Sequence, residues 1–505
     1  MDLLSPLRRA VSVGGDRPAV VGPGALTYRE LWGRCRRLTG ALAGLGLERG
    51  DRVAVAAANT GAYLELYQTV PGAGYVLVPL NTRHTPAELG YALSDSATAV
   101  LFTDLDPEPF AGLVKRVIAV PGGYEDLLAG AAEQEPPGDI AEGDLAGLFY
   151  TGGTTGAAKG VMLTHRNLLA NAFHFMACWP FTPETRWLVA APMFHAAGTI
   201  AVLSMVWNAG SHVFLERFDP GAALDLIEAH RVTATLVVPT MLAALAEEQR
   251  RRPRDVSSLT HLSHGGSPVA TETLRQARAA FPGATLLHIY GATETSPIVT
   301  LLPAEERVLD SPRARSCGQP AVGVEVRIVD DDGNPVPAGT VGEVCIRGPN
   351  IMAGYWNKPE ETARAVRDGW YRTGDLAYLD DAAYLFHVDR AKDMIVTGGE
   401  NVYSSEVENA LHQHPAVAEA AVFGVPHPRW GEAVHAALAL RHPVDEEELR
   451  AHCRALIADY KVPKSFEYHD ALPKSGAGKI LKRELRRPHW GEGTTFVAGD
   501  RPPAS

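Results

Sequence analysis

Ten consecutive residues, Thr151-Gly152-Gly153-Thr154-Thr155-Gly156-Ala157-Ala158-Lys159-Gly160, combine glycines, hydroxyls and a lysine in a composition suited to wrapping phosphate oxygens. Glycine lets peptide N–H groups come close to an anion, threonine adds hydroxyl donors, and Lys159 brings a mobile positive charge. A Walker loop is excluded, because it would place the lysine directly after Gly156. Downstream, Tyr290-Gly291-Ala292-Thr293-Glu294-Thr295 follows the apolar run Leu286-Leu287-His288-Ile289. It therefore sits at the carboxyl end of a strand, where open α/β sheets bind ligands. Thr293 can bond a phosphate there. Glu294 can hold Mg2+, a cation that prefers carboxylate and phosphate oxygens, or it can cap a helix.

Further candidates have bland alternatives of their own. Arg372-Thr373-Gly374-Asp375 sets a carboxylate at a glycine turn, fit to accept from ribose hydroxyls, although Thr-Gly-Asp is also an ordinary turn. His195 heads an apolar stretch whose Ala196, Ala197 and Gly198 leave room for an apolar ligand; a satisfied core histidine is the competing reading. His264-Gly265-Gly266-Ser267-Pro268 gives a close-approach turn suited to a flat adenine or a carboxylate, or a plain loop. In Pro473-Lys474-Ser475-Gly476-Ala477-Gly478-Lys479-Ile480 the glycines place Lys479 on a mobile loop, where the ordinary fate of a lysine is solvation.

Positioning these groups needs a large scaffold. A chain of 505 residues is too long for one core, so two or more domains are expected. With 46% hydrophobic and 21% charged residues it has an ordinary globular composition. Its net charge of -12, without a basic stripe longer than Arg250-Arg251-Arg252, argues against nucleic acid as a partner. Five scattered cysteines form no metal-ligand spacing and fit a reducing cytoplasm. No signal-peptide core opens the chain. The longest apolar stretch, 196–207, is about half a membrane span and reads as one buried helix, so no membrane span is expected.

Helix and strand patterns alternate through the first half of the chain. Thr27 and Glu30 have capping-box spacing and open a run with Leu31, Cys35, Leu38 and Leu42 on one face. Short β-branched runs follow at Val53-Ala54-Val55, Tyr75-Val76-Leu77-Val78 and Ala99-Val100-Leu101-Phe102, predicting parallel sheets covered by helices. The run Leu148-Phe149-Tyr150 predicts a strand delivering the phosphate loop to a sheet edge. Over 322–346 the texture changes to alternating strands with turns, predicting a smaller β subdomain. An α+β segment follows over 392–482, with helical patterns at 404–412 and 446–460. The Gly-, Pro- and Thr-rich tail from Pro488 predicts disorder.

In this order and spacing the segments resemble the adenylate-forming superfamily of acyl-CoA synthetases, peptide-synthetase adenylation domains and firefly luciferase. The resemblance spans nearly the whole chain. It is most specific at 151–160, 290–295 and 371–376, at Val388-Asp389-Arg390-Ala391-Lys392-Asp393, at Gly398-Gly399-Glu400-Asn401 and at 473–479. Before Leu148 only the texture is similar. It implies an α/β fold: a large N-terminal domain, 1–391, of helix-covered sheets plus a β subdomain, then a small mobile α+β C-terminal domain, 392–487, and a tail, 488–505.

The resemblance also implies a two-step reaction using ATP, Mg2+ and coenzyme A. A carboxylate attacks the α-phosphorus of ATP to give acyl-adenylate and pyrophosphate, and a thiol then displaces AMP. By carry-over, Thr151, Gly152, Gly153, Thr154, Thr155, Gly156 and Lys159 hold the β- and γ-phosphates. Gly265, Gly266, Tyr290, Gly291 and Ala292 belong to the nucleotide site. Asp375 binds the ribose with help from Arg390, Glu294 holds Mg2+ beside Thr293, and Lys479 bridges acid and nucleotide. Lys392 is the pivot about which the C-terminal domain turns to present Gly398, Gly399 and Glu400 to the pantetheine tunnel. His195 lies between acyl pocket and tunnel.

Two departures stand out. The family loop more often reads Thr-Ser-Gly-Thr-Thr-Gly-x-Pro-Lys, so Gly152 replaces a serine and Ala158 a proline, a change expected to loosen phosphate binding or speed pyrophosphate release without abolishing adenylation. For the acid, no aspartate follows His195 to bind an amino group, and neither a cation for a second carboxylate nor a tryptophan closing the pocket stands near Tyr290. Ala196, Ala197, Gly198, Gly265, Gly266, Gly291 and Ala292 imply a roomy apolar pocket for a medium or long fatty acid, or for a bulky aryl or terpenoid acid. An acyl-CoA synthetase is favoured. A carrier-protein-loading acyl-AMP ligase and a non-catalytic nucleotide- or carboxylate-binding protein are the alternatives, with a homodimer left open.

Overall fold

The computed structural model describes residues 1–151, 158–267, 269–475 and 480–490, apart from the side chain of Glu306. Among these, four sheets form. The first has seven strands. Arg52–Ala56, Val76–Pro79, Thr98–Thr103 and Arg116–Ala119 run parallel. Leu145–Thr151 (β1) and Lys159–Thr164 (β2) follow as an antiparallel hairpin, with Gly354–Tyr355 on the outer side of β2. The expected strand before the loop is β1, an interior strand held between β2 and Val76–Pro79. The phosphate-type loop is thus the hairpin's own connection.

The second sheet has nine strands, with a parallel centre that includes His261–Gly265 (β3) and Thr285–Tyr290 (β4). Helices cover both sheets. Helix Tyr28–Gly44 starts with the expected capping box: Glu30 N–H donates to Thr27 Oγ1 at 3.2 Å, and Thr27 N–H donates to Glu30 Oε2 at 2.7 Å. Its Leu31, Cys35, Leu38 and Leu42 are fully buried, as the 3.6-residue spacing requires.

The apolar stretch 196–207 is not one helix. It forms two short ones, Ala196–Thr199 and Val202–Trp207. Gly198 lies so close to the preceding chain that a Cβ there would stand 2.0 Å from the Pro192 carbonyl oxygen.

The β subdomain continues past the sequence expectation to Arg390. It is a five-stranded antiparallel sheet in which Trp370–Leu379 (β5) pairs with Leu385–Arg390 (β6), and helix Pro359–Ala365 (α1) lies beside it. After residues 391–394 comes the C-terminal sheet. There Gly431–Leu440 (β7) lies between Val417–His427 and the parallel strand Ser465–His469 (β8). Helix Ser404–His412 (α2) packs on it as expected.

The pattern at 446–460 forms a helix only over Glu446–Arg454, followed by a 3-10 turn at Asp459–Lys461. The chain must extend before Pro463, which disfavours helical backbone in the residue ahead of it. The last helix, Lys482–Trp490 (α3), runs through Pro488, past the expected boundary at 487. No helix of the described residues is long and apolar enough to cross a membrane.

Candidate functional site

One continuous cleft opens between the large domain and the C-terminal unit. The carboxyl ends of β1 and β4, the bend of β5 and the end of β6 all reach it. Thr151, Lys159, His195, Ala196, Gly266, Tyr290, Gly291, Ala292, Thr293, Glu294, Asp375, Arg390 and Lys392 line it. Gly152, Gly153, Thr154, Thr155, Gly156 and Lys479 lie outside the described residues.

Lys159 opens β2 opposite Thr151. Its ammonium pairs with the Glu361 carboxylate of α1 and lies 5.1 Å from the centre of the Tyr355 ring. Neither partner is marked by any motif, and α1 reaches Lys159 only through the fold.

Tyr290 ends β4, and Thr293–Thr295 forms a 3-10 turn immediately after it. Gly291 is obligatory, since a Cβ would stand 1.7 Å from the Pro297 carbonyl oxygen. The fully buried Asn350 clamps the turn from behind, its Nδ2 donating to Thr295 O at 2.9 Å and Ile298 O at 2.7 Å. Glu294 is thereby aimed at Tyr355, whose hydroxyl donates to Glu294 Oε1 at 3.0 Å. Burial and the Glu294 charge push the Tyr355 phenol up, so it stays a donor at neutral pH. The other Glu294 oxygen leaves a hard ligand, of the kind Mg2+ takes, beside the cleft.

Asp375 sits in β5 opposite Arg390 of β6. Its Oδ2 accepts from the Tyr290 hydroxyl at 2.7 Å. Its Oδ1 faces Arg390 Nε at 3.2 Å and His387 Nε2 at 3.8 Å without a directed hydrogen bond among the described residues. Burial pushes the carboxyl up, but the His387 imidazole and the Arg390 charge outweigh it and bring the group down to about 2. The site therefore holds an ionised carboxylate with one buried acceptor oxygen still to be satisfied.

Two expected pocket glycines are packed closely against backbone. Gly198 meets the Pro192 carbonyl, and a Cβ on Gly265 would stand 2.2 Å from Ile289 O across the β3–β4 pair. Both are buried and, with Ala197, do not line the cleft. Close strand and chain approach uses up the space that their small size leaves. Beneath Gly265, the fully buried His264 contacts Glu305 Oε2 at 2.5 Å and stacks on His288 at 4.9 Å between ring centres. The sequence marked His264 only as part of a turn, and nothing local pointed to Glu305.

Lys392 lies in the connection between β6 and Ile395–Thr397. Burial and the neighbouring Arg390 charge push its ammonium down to about 8. Arg486 of α3 reaches Lys392 O and Asp393 Oδ1, each at 3.4 Å. A bridge between Lys474 and Ile480 closes the loop that carries Lys479, and Lys474, Ser475 and Ile480 line the cleft. Gly398, Gly399 and Glu400 are exposed and do not. Gly398 and Gly399 have φ of +60° and +88°, a turn that glycine makes without strain.

Comparison with known proteins follows the same division. The AMP-binding enzyme family matches residues 7–356, and the AMP-binding enzyme C-terminal domain matches 406–479. Feruloyl-CoA synthases of Amycolatopsis sp and Streptomyces sp are each 43% identical over 491 residues, covering 96% of this chain and 96% of theirs. A long-chain-fatty-acid–CoA ligase of Escherichia coli O6:H1 is 36% identical over 532 residues, covering 96% of this chain and 94% of its own. Among solved structures, o-succinylbenzoate CoA synthetase (MenE) of Bacillus subtilis with its acyl-adenylate OSB-AMP has a TM-score of 0.87 at 32% identity, over 95% of this chain and 98% of that one. ATP bound MatB of Rhodopseudomonas palustris has a TM-score of 0.88 at 32% identity, over 96% of this chain and 98% of that one, whereas apo MatB gives 0.79. With a phosphate-type hairpin, a Thr-Glu turn and an ionised Asp375 on one cleft, and with these matches along its length, the chain belongs to the AMP-binding enzyme family, as an AMP-forming acid–thiol ligase of the acyl-CoA synthetase branch.

Proposed function

We propose that this ligase activates an aromatic carboxylic acid of the ferulate type as its acyl-adenylate and transfers the acyl group to coenzyme A. The observation that carries the nucleotide half is Asp375, a carboxylate held ionised beside Arg390 in the wall of the cleft, the group that suits ribose hydroxyls. A carboxylic acid substrate is already ionised at neutral pH, its ordinary pKa being about 4, so adenylation needs no general base. The difficulty is bringing one anion against another, and fixed cations in a closed cleft lower that barrier. Lys159 meets this need from β2 and Lys479 from the C-terminal unit. Glu294 would hold Mg2+, which would supply charge neutralisation at the phosphates. Thr293 donates to a phosphate oxygen, and Arg390 steadies Asp375.

Two arrangements of the C-terminal unit serve the two steps, with Lys392 as pivot. The flanks of Lys479 line the cleft while Gly398, Gly399 and Glu400 do not, which supports reading this arrangement as the adenylate-forming one. The higher TM-score to ATP bound MatB than to its apo form supports the same reading.

For the acid, support comes from the two 43% identical feruloyl-CoA synthases and from the cleft wall. Phe194, Ala196, Gly266, Gly291 and Ala292 give that wall an aromatic ring and short side chains, with the His195 ring tilted at 56° to Phe194, ring centres 4.8 Å apart. The test is ATP-dependent pyrophosphate release with ferulate, a medium and a long fatty acid and a terpenoid acid, with and without CoA, followed by mass spectrometry of the thioesters. Feruloyl thioester formed only with ATP and CoA is the expected result. Preference for a fatty acid would overturn the aromatic assignment, and pyrophosphate release without thioester would move the acceptor to a carrier-protein thiol.

A further inference from the structure

Apart from the residues that line the nucleotide cleft, the C-terminal unit gathers His435 from β7, Glu467 and His469 from β8, and His489 from α3. One ligand atom from each of His435, Glu467 and His489 lies within 4.8 Å of the other two. His489 Nε2 stands 3.1 Å from Glu467 Oε2, and His435 Nε2 stands 3.5 Å from the same oxygen. His469 Nε2 holds the other carboxylate oxygen, Oε1, at 3.1 Å. A tetrahedral zinc centre with arms of about 2.0–2.1 Å has ligand-to-ligand edges of about 3.3 Å, close to the two contacts with Glu467, while the two histidine nitrogens lie within 4.8 Å of each other.

Two features separate this group from an ordinary solvated cluster. The first is His435. Its side chain is only 5% exposed, and its Nε2 has no hydrogen bond among the described residues. The opposite ring nitrogen, Nδ1, lies 2.7 Å from Ser465 Oγ. A proton on Nδ1 donated to that hydroxyl leaves the Nε2 lone pair directed at Glu467, as outer partners of metal-binding histidines do. The second feature is the division of labour. Glu467, His469 and His489 remain partly exposed, at 26%, 35% and 29%, so an ion has an entry path to a site anchored at one buried end.

We propose that His435 Nε2, Glu467 and His489 Nε2 form a binding site for a divalent transition metal of the zinc class. His469 orients the carboxylate and water completes the coordination. Imidazole nitrogens with one carboxylate suit zinc better than magnesium or calcium, which favour oxygen ligands. The ion would join α3, the helix directly after the loop carrying Lys479, to two strands of the C-terminal sheet. Phe423 already packs against His435 and His489, with ring centres 5.1 Å and 5.7 Å away, so the ligands are backed by apolar surface.

The test uses the untagged full chain, stripped with a chelator and titrated with Co2+ and then Zn2+. One equivalent of Co2+ should give the visible absorption of tetrahedral coordination, and Zn2+ should displace it. Glu467→Gln and His489→Ala should abolish the absorption. Ser465→Ala, which removes only the outer hydrogen bond, should weaken Zn2+ affinity about 10- to 100-fold. His442→Ala, at an exposed histidine outside the cluster, should change nothing. Far-ultraviolet circular dichroism of the metal-free variants verifies folding, and Ser465→Ala serves should a ligand variant fail to fold. No saturable absorption in the unmodified chain, or binding of undiminished affinity in the folded cluster variants, would overturn the proposal.

Discussion

The Tyr290 hydroxyl donates to Asp375 Oδ2 at 2.7 Å, so the last residue of a strand in the nine-stranded sheet holds a carboxylate that belongs to the separate antiparallel β sheet. Their junction forms the floor of the cleft. Burial and the Asp375 charge hold the Tyr290 phenol far above its usual range, so it remains a donor throughout the working pH. A hydrogen bond to a charged group contributes about 1.5–3 kcal/mol. Tyr290→Phe should therefore raise the KM for ATP about tenfold or more in pyrophosphate release, with a smaller change in KM for the acid. An unchanged KM for ATP would remove this bond from the nucleotide site.

The pair between Lys159 and Glu361 makes a second prediction. Both side chains are partly exposed, at 25% and 33%, and such pairs contribute about 0.2–1 kcal/mol. If phosphate takes Lys159 from Glu361, then Glu361→Gln should lower the KM for ATP by up to about fivefold, while Lys159→Ala should raise it. Titrating ATP against both variants decides the matter: equal KM values for Glu361→Gln and the unmodified chain would show that the two anions do not compete.

Asp375 also links stability to pH. Its folded pKa, about 2, lies below the ordinary 3.8, so it contributes stability above about pH 4 that is lost as pH falls toward 2. The shift corresponds to about 2 kcal/mol. Urea unfolding followed by fluorescence should show Asp375→Asn less stable at pH 7, with the gap narrowing as pH drops below about 4. A gap independent of pH would mean that the carboxylate's ionisation is not what the fold stabilises.

The two lobes of the reaction should separate by mutation. A Cβ on Gly399 meets nothing within 4 Å here, so Gly399→Leu costs only the strain of a +88° φ, about 1 kcal/mol, and should leave adenylation near normal while blocking thioester formation. Lys479→Ala should do the reverse, nearly eliminating adenylate formation and sparing thioester formation from supplied acyl-adenylate. Assaying both half-reactions in both variants tests this, and equal loss of the two steps in either variant would refute a two-arrangement mechanism.

What the sequence by itself determined is local. The Thr27–Glu30 capping box, the strand runs and the Thr-Glu turn after an apolar strand each depend on neighbours a few residues away, and each lies in the fold where its pattern places it, whereas the expected glycine turn before Asp375 is part of a continuous strand. Size alone does not say what a small residue admits: Gly198 and Gly265 each lie against another stretch of backbone, and no local pattern marks that approach. The tertiary structure alone decided which groups meet: Glu361 with Lys159, Tyr355 with Glu294, Asn350 behind the Thr-Glu turn, and His435 with Glu467 and His489. Hydrogen bonds and close charge pairs act over about 3–4 Å of space, and residues far apart in the chain carry no mark of that proximity until the sheets have packed.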